Sequence, residues 1–485
     1  MKKLLVVLLS LGLIVAFSTA ASAVDVKFSG SYYAVGVYES NPKVNDNGYS
    51  EAYIWQRFRL QPVFTVAEGL VLTTRFDALE KQWGNTNFGS GAGQPLPSDR
   101  TDSRRVPYQV NGSSAKIQED IEFERAYVTF RTAIGQFDVG YMNVDDWGTD
   151  FGDYSNTGAR VQFATQLGPV IFLAIYEKLT ENQGAYWGNG VNPVTGVVGG
   201  ANPAMVGATD ADRDVYSIGA IYKAQGIETG LLYQYYAMNG NRPLGVKTQL
   251  NHISPYVKAT FGPIYIEGEA QYWFGKFAQY EGALAGMPDV DEKGWGAYFK
   301  VRGNVGPAYV GGLFAYVSGD DLTDPTESTS SPGGGGTNFE PCLILMNDWV
   351  NTWNANGAGV TTNSIAVNPN LSTQNPITTH KTNVIIYNAF AGINPMPKLN
   401  MEAGLTYATV AEKALSRSAA GVVTNADSDV LGWEFDLKAT YKIYDNLTYM
   451  VGAGYLWTGD YFKGANANAT VSNDYLLMNQ LTLSF

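Results

Sequence analysis

Segment after segment of this chain alternates apolar and polar residues with a period of two, a pattern that few folds accommodate. Leu431, Trp433, Phe435, Leu437, Ala439 and Tyr441 share one face, with Gly432, Glu434, Asp436, Lys438 and Thr440 on the other. After Tyr444-Asp445-Asn446 the pattern resumes with Leu447, Tyr449, Val451, Ala453, Tyr455 and Trp457. Farther back, Ile264, Ile266, Gly268, Ala270, Tyr272 and Phe274 alternate with Tyr265, Glu267, Glu269 and Gln271. Successive side chains of a strand point to opposite faces, so each segment reads as a strand with one face for hydrocarbon and one for water. A soluble β-sandwich also alternates, but it rarely sets Glu, Asp and Lys behind so many aromatic faces.

The connections discriminate further. Short ones fall at Ala67-Glu68-Gly69, Thr132-Ala133-Ile134, Leu167-Gly168-Pro169, Gln225-Gly226, Gly262-Pro263, Val305-Gly306-Pro307, Pro395-Met396-Pro397 and Tyr444-Asp445-Asn446. Long polar ones run near 40–50, 84–117, 143–157, 179–212, 239–248, 276–292, 319–381, 409–428 and 458–472. Strict short–long alternation is expected of a membrane barrel with tight turns at one end and free loops at the other. Hydrocarbon offers no hydrogen bonds, so the sheet must close. The fold class is therefore all-β, a transmembrane antiparallel β-barrel of about 18 strands. Sixteen also fits, because the pairs near 118–143 and 158–178 are short and irregular.

Residues 1–23 have the three parts of a secretory signal: Lys2 and Lys3, an apolar run from Leu4 to Phe17, and Ala21-Ser22-Ala23. The run is shorter than the ~20 residues that a membrane-spanning helix needs. Cleavage leaves a barrel over 24–485 and removes two of the 32 basic residues but none of the 45 acids, so the net charge falls from −13 to −15. That charge argues against nucleic acid as a partner. The 31 Tyr, 22 Phe and 10 Trp suit aromatic girdles at a lipid surface. Cys342 is the only cysteine, which excludes an intramolecular disulfide and reads as incidental. No metal cluster, phosphate-binding glycine loop or nucleotide motif is present, so no cofactor is expected.

Counting back by twos from Phe485 gives Leu483, Leu481, Asn479, Leu477 and Tyr475 on one face. A last strand of this pattern ending on Phe resembles that of Gram-negative outer-membrane proteins, where the outer-membrane assembly machinery reads it. A second resemblance lies in the first half. In EAYIWQRFRLQPVFTV, Arg57 and Arg59 face away from Phe58 and Leu60, and the next strand sets Arg75 and Asp77 opposite Leu72 and Phe76. Arg125 and Arg160 fall on the same side of later strands, and the third loop, NVDDWGTDFGDYSNT, carries Asp145, Asp146, Asp150 and Asp153. This layout resembles trimeric general porins, in which the third loop folds into the barrel and its acids face wall arginines. The resemblance implies an outer-membrane porin passing ions and small hydrophilic solutes passively. It also implies contact with membrane lipid and lipopolysaccharide, and a homotrimer. Arg57, Arg59, Arg75, Arg125, Arg160, Asp145, Asp146 and Asp150 would then form the pore constriction, with 143–157 as the constriction loop. Polar walls and acidic loops are also ordinary features of any barrel.

Elsewhere on the wall, Lys223, Lys258, Lys300 and Arg302 balance Glu228, Glu267, Glu269, Glu402, Glu434 and Asp436. The longest loop, 319–381, reads as solvated and extracellular, with Cys342–Met346 packing on the barrel mouth or on a neighbouring subunit. Four rivals are weighed. His252 and Ser254, two apart, are similar to the nucleophile site of outer-membrane phospholipase, but the Asn-Gly-Arg stretch of that family is missing, so no enzyme is expected. A plugged receptor has no room, because Val26, Phe28, Tyr32 and Ala34 already alternate. A channel selective for a sugar or organic anion, or a structural or adhesive barrel, stays open as the alternative.

Overall fold

The computed structural model describes residues 24–42, 44, 50–83, 121–181, 211–347, 381–418 and 420–485. The barrel strands among them are Asp25–Glu39 (β1), Glu51–Ala67 (β2), Leu70–Gln82 (β3), Ile121–Thr132 (β4), Gly135–Asp146 (β5) and Asp153–Leu167 (β6). They continue with Val170–Thr180 (β7), Arg213–Ala224 (β8), Ile227–Met238 (β9), Val246–Phe261 (β10), Ile264–Tyr280 (β11) and Trp295–Val305 (β12). The last six are Ala308–Val317 (β13), Val384–Met396 (β14), Leu399–Thr409 (β15), Val430–Tyr444 (β16), Leu447–Thr458 (β17) and Asp474–Ser484 (β18). Each pairs antiparallel with its chain neighbours, and β1 also pairs with β18, from Ser31 opposite Ser484 to Glu39 opposite Leu476. The sheet thus has no free edge, and the strand number is eighteen. Residues 1–23, the expected signal segment, lie outside the described residues.

The short turns are two residues each, and Gly69, Gly168, Gly226, Gly262 and Gly306 take positive φ in five of them. One expected turn moves. Met396 still pairs with Leu399, so the turn is Pro397-Lys398, and an irregularity between Ile393 and Met396 absorbs the displaced Pro395.

Alternation sorts lipid from lumen. On β16, Trp433, Phe435 and Leu437 face outward, with Trp433 46% exposed, while Glu434 and Asp436 are buried inside. Leu431 departs from the sequence expectation: it shares a parity with Trp433 but is fully buried. Thr409 pairs with Val430 and Ala408 with Gly432, so Leu431 is an extra residue. Gly432 takes φ 141°, and the bulge rotates Leu431 inward.

The inner face of the loop-side ends is apolar along part of the circumference. Val35, Val37, Val317, Val384, Ile386, Leu431, Leu456 and Leu476 form a core with Phe339 and Cys342–Met346 of the seventh loop. This corrects the expectation of a solvated loop. Residues 331–347 enter the barrel because they carry an apolar segment that matches an apolar stretch of wall, whereas Asp321 and Thr323–Pro325 stay exposed. Residues 348–380 lie outside the described residues.

Candidate functional site

Two loops narrow the lumen, and each is anchored on a wall carboxylate. The third loop leaves β5 at Asp146 and returns at Asp153. Between them, the Thr149 amide and hydroxyl donate to Glu269 Oε2 on β11, at 2.7 and 2.9 Å, and Ser254 on β10 donates to Oε1 at 3.0 Å. Gly148 and Gly152 wrap that carboxylate so closely that a Cβ on either would collide with it. Phe151 stacks on Tyr298 of β12 with ring centroids 5.6 Å apart, and Trp147 Nε1 donates to the Ser254 carbonyl at 2.9 Å. The loop therefore crosses the lumen from β5–β6 to β10–β12.

The seventh loop lies on the third. The Gly336 amide donates to the Phe151 carbonyl at 2.8 Å, and Tyr154 OH to that of Gly334 at 2.8 Å. Beyond this contact the amides of Leu343, Ile344 and Leu345 donate to the Glu434 carboxylate at 2.9, 2.6 and 2.7 Å. A carboxylate gathering several backbone N–H groups is a strong, charge-assisted anchor. Cys342, expected to be incidental, lies here: its thiol is 3.4 Å from Thr406 Oγ1, and its sulfur lies within 4.8 Å of the nearest carboxylate oxygens of Glu434 and Asp436. Burial pushes the thiol far above its ordinary pKa, and the two carboxylates add to the rise. This is the one group of metal-capable side chains among the described residues, but the amides already engage Glu434, so the cluster serves as the loop anchor.

Of the residues singled out in the sequence, the arginines line one arc of wall. Arg59 forms a bidentate pair with Asp77 at 2.8 and 2.7 Å, and Arg57 reaches Asp77 and Glu80 at 3.7 and 3.5 Å. Arg75 pairs with Glu124 at 3.3 Å. Arg75 sits opposite Arg125 and Phe76 opposite Phe123, leaving Glu124 as the bulged residue whose carboxylate turns inward. Arg160 donates to Glu177 and lies 3.6 Å from Asp146. Of the loop acids, Asp146 meets an arginine. Asp145 accepts from Asn156 at 3.2 Å, and Asp150 lies away from the arginines, with Glu267, Lys300 and Lys258 as its charged neighbours.

Sequence reasoning missed Glu124 and Glu177, the two-carboxylate anchoring of the loops, and the identity of each arginine's partner. One of these was legible: counting outward from the two-residue turn Gly168-Pro169 sets Arg160 opposite Glu177. On the wall the expected balance of charge takes the form of pairs, with Lys223–Glu228 at 2.8 Å, Lys300–Glu267 at 3.1 Å and Lys438–Glu402 at 2.8 Å. His252 and Ser254 do not face each other as base and nucleophile. His252 Nδ1 lies 2.8 Å from Gln234 Oε1, and the Ser254 hydroxyl is committed to Glu269.

Between the third loop and the wall from β4 to β11 remains a cavity of about 780 Å³. Its charged lining is Arg125 and Arg160 against Asp138, Asp145, Asp146 and Glu269.

Among solved structures the chain is similar in layout to the outer-membrane protein OpdK of Pseudomonas aeruginosa, at 11% identity and a TM-score of 0.48, covering 95% of this chain and 99% of that one. It is likewise similar to OccK8 (OprE) of the same organism, at 12% identity and a TM-score of 0.49, covering 95% and 98%. OccAB2 of Acinetobacter baumannii gives 12%, 0.49, 95% and 98%. No curated protein sequence matches. A family model of the Gram-negative porins matches residues 10–339, more than half of the chain. A closed eighteen-stranded barrel, a lumen narrowed by its own loops and that match together make this chain a member of the Gram-negative porin family.

Proposed function

We propose that ions and small hydrophilic solutes diffuse passively through the chamber between the third loop and the β4–β11 wall. In this reading Arg125 and Arg160, facing Asp146, form the constriction, and Arg57, Arg59 and Arg75 continue the charged wall beside it. The supporting observation is the third loop itself, which spans the lumen on the Glu269 anchor and leaves that charge-lined cavity beside it. Two arginines against four carboxylates give the chamber a cation preference. Asp150, away from the arginines, acts with Lys258 and Lys300 on the other side of the loop. No enzymatic step is assigned, since neither His252 nor Ser254 engages the other.

The further assignments rest on resemblance: a homotrimer in the outer membrane against lipid and lipopolysaccharide, insertion guided by Phe485, and removal of residues 1–23. Native mass and N-terminal sequence of the extracted protein test the trimer and the cleavage.

The pore reading is tested by single-channel recording of the purified protein in a planar bilayer under a KCl gradient. Stable ohmic steps are expected, with the zero-current potential positive on the dilute side, as potassium crosses ahead of chloride. A potential of the opposite sign would refute the cation preference, and silence from correctly inserted protein would refute the open pore.

A further inference from the structure

The chamber wall carries a group of polar atoms that the scaffold orients and leaves unused. His252 on β10 and Trp273 on β11 are direct cross-strand partners, and their rings stack with centroids 4.1 Å apart and planes 15° from parallel. Both side chains, and that of Gln271 two residues before Trp273, are more than nine-tenths buried and line the cavity. His252 Nε2, Gln271 Oε1 and Trp273 Nε1 have no hydrogen-bond partner among the described residues.

The role of the His252 ring follows from the surrounding bonds. Gln234 Nε2 donates to Ser217 Oγ at 3.2 Å, so Gln234 Oε1 is the acceptor that faces Tyr236 OH at 3.1 Å and His252 Nδ1 at 2.8 Å. His252 Nδ1 therefore carries the proton, and Nε2 keeps a bare lone pair. Gln271 Oε1 is a second acceptor, and Trp273 Nε1–H is a donor. Buried polar groups are costly unless paired, so a wall that holds three of them in place is built to meet something polar. The seventh loop presses on the same spot: a Cβ at Gly333 would stand 2.9 Å from Trp273 and 3.1 Å from Gln271 Oε1.

We propose that His252, Gln271 and Trp273 form a subsite in the chamber for a neutral, hydroxyl-rich solute, a sugar or polyol. The inference rests on the reading of the chamber as the solute path. A hydroxyl both donates and accepts, so adjacent hydroxyls satisfy two acceptors and one donor together. An inorganic or carboxylate anion only accepts and would face two lone pairs, in a chamber already richer in carboxylates than in arginines. An ammonium only donates and leaves Trp273 unmet. The volume lies within the ~300–1,000 Å³ usual for small-molecule sites. Met142, Leu232 and Leu250, also in the lining, offer apolar surface to the C–H faces of such a solute.

The test uses the full channel in a planar bilayer, with D-glucose or sucrose added at rising concentration and the block expressed relative to each protein's own open current. Saturable block by a sugar is expected, with sodium benzoate at equal concentration giving none. Trp273→Phe keeps the stacking ring and removes the N–H, and Gln271→Leu removes the acceptor at similar volume. Each is expected to raise the half-blocking concentration about tenfold, the order of one lost hydrogen bond. An open channel that no sugar blocks, or that benzoate blocks instead, overturns the subsite and leaves the pore standing. Wild-type affinity in both variants overturns the residue assignment. Absence of current from inserted protein overturns the pore and the subsite with it.

Discussion

The two sides of this lumen are built from the same eighteen strands and end up as opposites. From β4 to β11 the wall sets Arg125, Arg160 and four carboxylates among apolar residues such as Met142, Leu232 and Leu250, and a cavity remains. Around β12–β18 and β1 the loop-side inner face carries Val, Ile and Leu, and the seventh loop fills the space with Phe339 and Cys342–Met346. The wall dictates the outcome. An apolar inner face in water gains about 25 cal/mol per Å² when covered, so a loop with a matching segment is drawn in. An inner face that intersperses charges with its apolar residues gains less, because covering it would also strip water from the charges. Where the charged wall does hold a loop, the central contact is a carboxylate: Glu269 takes the Thr149 amide and hydroxyl, with Trp147 on the Ser254 carbonyl and Phe151 on Tyr298 beside it. Pore geometry in this porin is thus set by two carboxylate anchors and one apolar seam.

The largest expected effect comes from breaking the filled side. Glu434→Leu leaves three amides without their acceptor, at roughly 1–3 kcal/mol for each one that stays buried. The seventh loop is expected to leave the wall, raising single-channel conductance severalfold and exposing Cys342. Conductance equal to wild type would show that the apolar seam holds the loop unaided.

The thiol gives an independent reading of the same contrast. Buried, and with its pKa raised by burial and by two carboxylates, Cys342 stays protonated at neutral pH and is a poor nucleophile. The folded wild-type protein is expected to resist a maleimide for hours, and the protein in denaturant to react within minutes. Glu434→Leu is expected to fall between them. Rapid labelling of the folded wild type would contradict the packing of the filled side.

On the open side the expected effects are smaller. Gly152→Val drives a side chain into the Glu269 carboxylate and is expected to loosen the third loop, seen as increased open-channel current noise with little change in mean conductance. Quiet traces would mean that the stacking of Phe151 on Tyr298 suffices. Asp146→Asn removes one of four chamber carboxylates and is expected to move the zero-current potential toward zero by a few millivolts, while Arg125→Gln moves it away. Equal shifts at molar salt would count against a local charge effect, because the Debye length there is about 3 Å. The smallest effect belongs to Lys223–Glu228, a partly exposed pair near a turn, where Lys223→Gln is expected to cost less than about 1 kcal/mol in stability.

How far the sequence reaches depends on how local the information is. The Trp433-Phe435-Leu437 face opposite Glu434 and Asp436 is written residue by residue, and two-residue turns transmit register, so Arg160 opposite Glu177 follows by counting. The same logic failed at Leu431, because one extra residue at the Gly432 bulge reverses parity, and a bulge leaves no mark on the alternation before it. The placement of the constriction acids was legible only in part. Asp146 sits at the strand end and lies near Arg160, whereas the position of Asp150 depends on where its loop lands.

By itself, then, the sequence determined a closed barrel, the lipid face of its regular strands, which end carries the loops, and that the lumen wall is charged. These follow from a period of two and from turn lengths, interactions that act over a few residues or one strand pair. Only the tertiary structure decided that the third loop crosses to Glu269 and that the seventh, expected in solvent, is buried on Glu434. It alone laid Gly333 of the seventh loop over Gln271 and Trp273. Those contacts join residues about 60 to 120 positions apart through a shared lumen, and no periodicity along the chain encodes where a long loop comes to rest.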